Sequence, residues 1–185
     1  MNRGEANVAA SAAVLVIDLQ VGMFDGLQCP PLVDGESLLG RAGAVVTWAR
    51  AKGLPLAFVR HDGDTADALA PGAPGWSVHP RLGQAEGEPT FSKAVGDAFS
   101  EPALEAWLRA HGAKRVILLG AQTDQCIKAT LTGALQRGFE TVVVADAHGT
   151  CDFAGETARQ IVERHNALFA RAGAKLTTTT DLIGA

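Results

Sequence analysis

The sequence has little cysteine, little charge and no concentrated run of basic residues, and each shortage closes off a class of function. Three cysteines, Cys29, Cys126 and Cys151, are too few and too scattered for a disulfide framework or a paired-thiolate metal site. Charged residues make up 19% of the chain and the formal net charge is -4, so there is no electrostatic footprint for nucleic acid. No apolar run reaches the length a bilayer requires. Residues Met1 to Ala10 include Arg3, Glu5 and Asn7 and lack the apolar core of a secretory signal. Internal repeats and a linker are also missing. These exclusions predict one domain over the 185 residues, a reducing cytoplasmic setting, no nucleic-acid or membrane partner, and a small molecule as substrate.

What is present is a 47% hydrophobic chain in which short apolar runs alternate with helical periodicity. Residues 12–18, 54–60, 115–120 and 141–146 read as strands buried on both faces, two of them ending in a carboxylate, Asp18 and Asp146. Residues 35–52, 102–110, 124–137 and 154–172 read as helices, with Ser100 as an N-cap of the second and glycines 53, 112, 138 and 173 as stops. A threonine-rich strand over 175–180 follows. The alternation predicts a three-layer α/β/α fold with a mainly parallel sheet. Open sheets of this kind place ligands at the carboxyl ends of their strands, where Asp18 lies.

The stretch from Leu118 to Thr130 is the most suggestive, because an apolar run stops at Gly120 and a periodic segment starts just past Cys126. A thiol in a first helical turn meets unpaired backbone N–H groups and the positive end of the macrodipole, which favour the thiolate and can bind an oxyanion. An unpaired cysteine is equally at home as a small buried hydrophobe. Candidate pocket residues are Gln20 and Phe24 after the first strand, and His61 and Trp76 in the long aperiodic loop over 61–89. His61, Asp64 and His79 are the conceivable metal ligands of that loop, but no short spacing fixes them together. Lys93 alone reads as a solvated charge. Cys29, between loop residues and two prolines, reads as incidental, and Asp146 and His148 either line the site or hold their loop.

Several motifs together resemble a known family. Val16-Ile17-Asp18-Leu19-Gln20, Phe91-Ser92-Lys93 with Ala98-Phe99, Gly120-Ala121-Gln122-Thr123-Asp124-Gln125-Cys126 ahead of Thr130, and Val144-Ala145-Asp146-Ala147 stand in the order found in the isochorismatase-like cysteine hydrolases, which include nicotinamidases and N-carbamoylsarcosine amidases. The resemblance covers nearly the whole chain. It implies an Asp18, Lys93 and Cys126 triad, a cis peptide before Gln122, an oxyanion hole from the backbone N–H groups of Gln122 and Cys126, and a homo-oligomer. It also implies hydrolysis of a small amide or related acyl compound. Nicotinamidases of that family resemble one another in an Asp-x-His metal motif after the second strand. Here Val59-Arg60-His61-Asp62-Gly63-Asp64 stands instead, which points to the metal-free branch and to no cofactor. A catalytically silent small-molecule-binding or scaffold protein on the same fold and a metal-dependent nicotinamidase are the contrasting readings.

Overall fold

A computed structural model describes residues 11–26 and 30–184, so Cys29 and the first ten residues lie outside the described part. Six parallel strands form one sheet in the order β3-β2-β1-β4-β5-β6: β1 (Ala12–Ile17), β2 (Leu56–His61), β3 (Thr90–Lys93), β4 (Arg115–Ala121), β5 (Glu140–Gly149) and β6 (Lys175–Thr177). Every residue of β1 and β4 is buried, which is why both read as unbroken apolar runs rather than alternating ones.

The period of two sorts β1 between two cores. Ala12, Val14 and Val16 join Leu38, Leu39, Val45, Val46 and Trp48 of α1 (Gly35–Ala51) and Leu182 of α5 (Thr179–Gly184). Ala13, Leu15 and Ile17 join Leu104 and Leu108 of α2 (Pro102–Ala110), Leu131 and Ala134 of α3 (Lys128–Gln136), and Phe169 of α4 (Ala158–Arg171). The result is the three-layer arrangement, with helices on both sheet faces. Among the described residues no helix is long and apolar enough to cross a membrane.

Three local departures from the sequence reading have physical causes. The final strand ends at Thr177, because Asp146 accepts hydrogen bonds from both the backbone N–H (2.7 Å) and the hydroxyl (2.9 Å) of Thr179 and so starts α5 where threonine favours a strand. The fourth helix begins at Ala158 rather than at 154, since Thr157 and Gln160 form a reciprocal capping box. Helix α2 is capped by the carboxylate of Glu101, which accepts from Ala103 N–H at 3.0 Å, while the Ser100 hydroxyl donates to the Asp97 carbonyl.

The sheet turns the chain in two directions from β1: β2 and β3 lie on one side, β4, β5 and β6 on the other. The carboxyl ends of β1 and β4 therefore flank the crevice in which such sheets bind ligands. Asp18 follows β1 directly and the turn bearing Cys126 follows β4.

Candidate active site

Three strand ends deliver the polar groups. Asp18 sits at φ 49, a left-handed conformation that aspartate tolerates better than most residues, and is 2% exposed. Lys93 ends β3, two strands away, in register with His61 of β2. Its side chain is 0% exposed and spans the end of β2, so that Nζ lies 2.7 Å from Asp18 Oδ2 and 3.3 Å from Cys126 Sγ. A lysine reads as surface only until its carboxylate is known; burial of the pair is tolerable because the charges meet.

Cys126 stands in a π-helical turn, Thr123–Ile127, where Ile127 N–H reaches the Gln122 carbonyl at 3.1 Å, five residues back. A regular helix over 124–137 is thus corrected to a wide turn followed by α3, a device that recurs at functional sites. The Ala121–Gln122 peptide is cis. Gly120, at φ 128, lets β4 close on β1: a Cβ there would lie 2.0 Å from the Ile17 carbonyl oxygen.

The turn is held from behind by side chains. Asn166 donates to the Ala145 carbonyl (3.1 Å), which leaves its Oδ1 to accept from His148 Nε2–H (2.9 Å) and leaves His148 Nδ1 to accept from the Thr123 hydroxyl (2.9 Å). Burial lowers the His148 pKa to about 4, so the ring stays neutral and keeps this tautomer. The Thr150 hydroxyl donates to Asp124 at 2.7 Å. His148 therefore holds the turn itself rather than its own loop backbone. We expect Thr123→Val to lower stability by about 1 to 2 kcal/mol in urea denaturation, because a buried ring nitrogen loses its donor at nearly constant volume.

The electrostatics revise one expectation. Burial pushes the Cys126 thiol up to about 12, with the Asp18 charge adding to the rise and Lys93 only partly opposing it. The lysine does favour thiolate, yet desolvation and the carboxylate outweigh it. Burial also raises Asp18 against the pull of Lys93. Lys93 itself is raised: burial works against its charge, but Asp18 and then Cys126 more than offset that. The resting state is a thiol beside a carboxylate–ammonium pair, neutral overall. Moving the thiol proton to Asp18 leaves that sum unchanged. Asp18 Oδ1 is buried and has no partner among the described residues, so an acceptor stands ready.

Asp18, His61, Met23, Leu69, Gln122 and Cys126 line a cavity of about 360 Å3, within the roughly 300 to 1,000 Å3 usual for small-molecule sites. Of the four candidate pocket residues only His61 reaches it. Gln20 is fully buried and braces the loops, donating to the His61 and Trp76 carbonyls and accepting from His61 N–H. Phe24 packs edge-on against His79. Trp76 donates to Asp62 at 2.7 Å beneath the Arg60 guanidinium, 3.4 Å from its ring. Asp67, Leu69, Ala94, Val95 and Gly96 line the cavity without any signal in the sequence, since they come from aperiodic loops, while Gln125 lines it from the turn that carries Cys126. Cys151 contacts the Gln122 amide at 3.8 Å. His61, Asp64 and His79 do not converge, as His79 accepts from Arg81 N–H; among the described residues no three such side chains are grouped to hold a metal ion.

Residues 12–181 match the isochorismatase domain. The chain belongs to the isochorismatase family. It is 30% identical over 140 residues to a streptothricin hydrolase of Streptomyces noursei, covering 76% of this chain and 50% of that protein, so it spans about half the length of that relative. It is 32% identical over 152 residues to the uncharacterized isochorismatase family protein YecD of Escherichia coli O157:H7, covering 75% and 80%. The crystal structure of an isochorismatase from Pseudomonas putida KT2440 superposes with a TM-score of 0.88 at 26% identity, covering 94% of this chain and 91% of that one. The six-stranded parallel sheet flanked by helices matches that of these family structures.

Proposed function

We propose that the protein is a cysteine hydrolase of a small amide or related acyl compound, with Cys126 as nucleophile and Asp18 and Lys93 as its partners. The observation that carries this reading is Lys93 Nζ between Asp18 Oδ2 (2.7 Å) and Cys126 Sγ (3.3 Å) at the floor of a ligand-sized cavity. A relative that is a streptothricin hydrolase supports hydrolysis as the reaction class.

The steps balance with this chain's own groups. Asp18 takes the thiol proton as Sγ bonds to the carbonyl carbon, and the backbone N–H groups of Gln122 and Cys126 stabilise the oxyanion. Lys93 stays charged and holds Asp18 in place. Collapse breaks the C–N bond, and the proton on Asp18 goes to the departing amine, leaving an acyl-enzyme. Water then loses a proton to Asp18, attacks the acyl carbon and releases the carboxylic acid. That proton returns to sulfur. At the tetrahedral stage the Lys93 charge is balanced by the oxyanion, so the trio and the bound acyl group together stay neutral throughout, which suits a buried site.

The role of Asp18 has a distinctive consequence. In Asp18→Asn the carboxylate no longer raises the thiol, so the Cys126 pKa falls and alkylation by iodoacetamide at neutral pH becomes faster, while ammonia release from amides is lost. The pH profile of alkylation shifts to lower pH for the same reason. Retained turnover in this variant sinks the assignment of Asp18 as base, and slower alkylation sinks the claim that its charge raises the thiol.

A further inference from the structure

Among the described residues the cavity above Cys126 is lined by two carboxylates, Asp18 and Asp67, and by one imidazole, His61. Asp67 stands exposed in its wall, with Oδ1 accepting from Leu69 N–H at 2.7 Å. No ion pair among the described residues includes it. Among the described residues no lysine or arginine lines the cavity, and Lys93 lies fully buried, matched by Asp18. Earlier in the loop of Asp67, Asp62 is met by Arg60 at 3.9 Å, and the exposed Asp64 is in no ion pair among the described residues. Asp18, 2% exposed, lines the same cavity, and its Oδ1 has no hydrogen-bond partner among the described residues. Met23, Leu69 and Val95 supply an apolar remainder, Val95 being 54% exposed.

An anionic substrate would enter this cavity against Asp67 with only the His61 imidazole to meet it, and a neutral one would leave the Asp67 charge without an ion pair. We propose that the site selects amides whose acyl part carries a cationic amine, and that Asp67 is the residue that pairs with that amine. The selection rests on the amide-hydrolase reading for its reaction but not for its charge preference. Attraction of this kind acts on capture and on KM more than on the chemical step.

Three matched probes test it: γ-aminobutyramide, its neutral methyl isostere valeramide, and anionic succinamate. Calorimetry on the Cys126→Ala protein measures binding without turnover. γ-Aminobutyramide is expected to bind at least about threefold more tightly than valeramide, the scale of a partly solvated ion pair, with succinamate weakest and the spread narrowing at high salt. Adding Asp67→Asn, which keeps an oxygen to accept from Leu69 N–H, removes the spread; adding Asp67→Lys inverts it toward succinamate. Equal affinity for the three probes, no binding of γ-aminobutyramide, or a spread that persists in Asp67→Asn overturns the proposal. Ammonia release by the wild-type protein is read separately. Cation-selective binding without hydrolysis overturns the amide-hydrolase reading alone; hydrolysis without charge preference overturns the charge selection alone.

Discussion

Replacing Cys126 by alanine is expected to lower amide turnover by on the order of 10,000-fold or more, since the step that splits hydrolysis into two easier displacements disappears with the sulfur. The fold should be nearly indifferent. Cys126 is half-buried, packs at the edge of the core that includes Ile17 and Leu131, and meets Lys93 at 3.3 Å, and Lys93 remains paired with Asp18 when the sulfur is removed. Thermal unfolding of the variant should therefore stay close to wild type, which separates loss of chemistry from loss of structure. Serine in place of Cys126 should be almost as inactive, because Asp18 would then have to deprotonate an alcohol far weaker as an acid than the thiol it now faces. Mass spectrometry of wild-type protein quenched during turnover should find an acyl group on the peptide containing Cys126. Undiminished ammonia release from the alanine variant would refute the nucleophile assignment, whatever the substrate.

The sheet was legible in the sequence because a strand buried on both faces needs an unbroken apolar run. Residues of β1 and β4 are apolar on both their faces for this reason. The Asp18 and Cys126 ends were legible as strand termini. Lys93 was not, since its burial depends on β3 lying beside β2 and on a carboxylate 75 positions away, and single-residue propensity contains neither fact. Only the order of the motifs, through resemblance to a family, set it beside the other two. The π-helical turn escaped for a similar reason: its width is held by His148 acting on Thr123, a contact between segments 25 residues apart. Aromatic residues misled in the opposite direction. Phe24 and Trp76 look like pocket walls in a polar loop, but Trp76 is occupied by Asp62 and Arg60, and Phe24 by His79. The loop that does line the cavity has no periodicity to read.

A methyl group at Gly120 should do more damage than any other small change in the site. Its φ of 128 lies where side chains are rarely tolerated, and the added Cβ would stand 2.0 Å from the Ile17 carbonyl oxygen, a main-chain atom that cannot rotate away. Gly112 provides the control, because it too has positive φ, at 66, but faces open space. Gly112→Ala should cost about 1 kcal/mol, a purely conformational penalty. Gly120→Ala should exceed it severalfold, costing on the order of 3 kcal/mol or more, since relief requires the ends of β1 and β4 to part. The same parting moves Asp18, next to Ile17, away from the turn that carries Cys126. Molecules that still fold should then be slow, because a displacement of about 1 Å between reacting groups costs roughly 100-fold in rate. Urea midpoints at unchanged m-value measure the first effect and kcat of the folded fraction the second. If Gly120→Ala is no less stable than Gly112→Ala, the close approach of the two strands is not what this glycine serves; if it is unstable yet fully active when folded, the spacing between Asp18 and Cys126 does not limit the reaction.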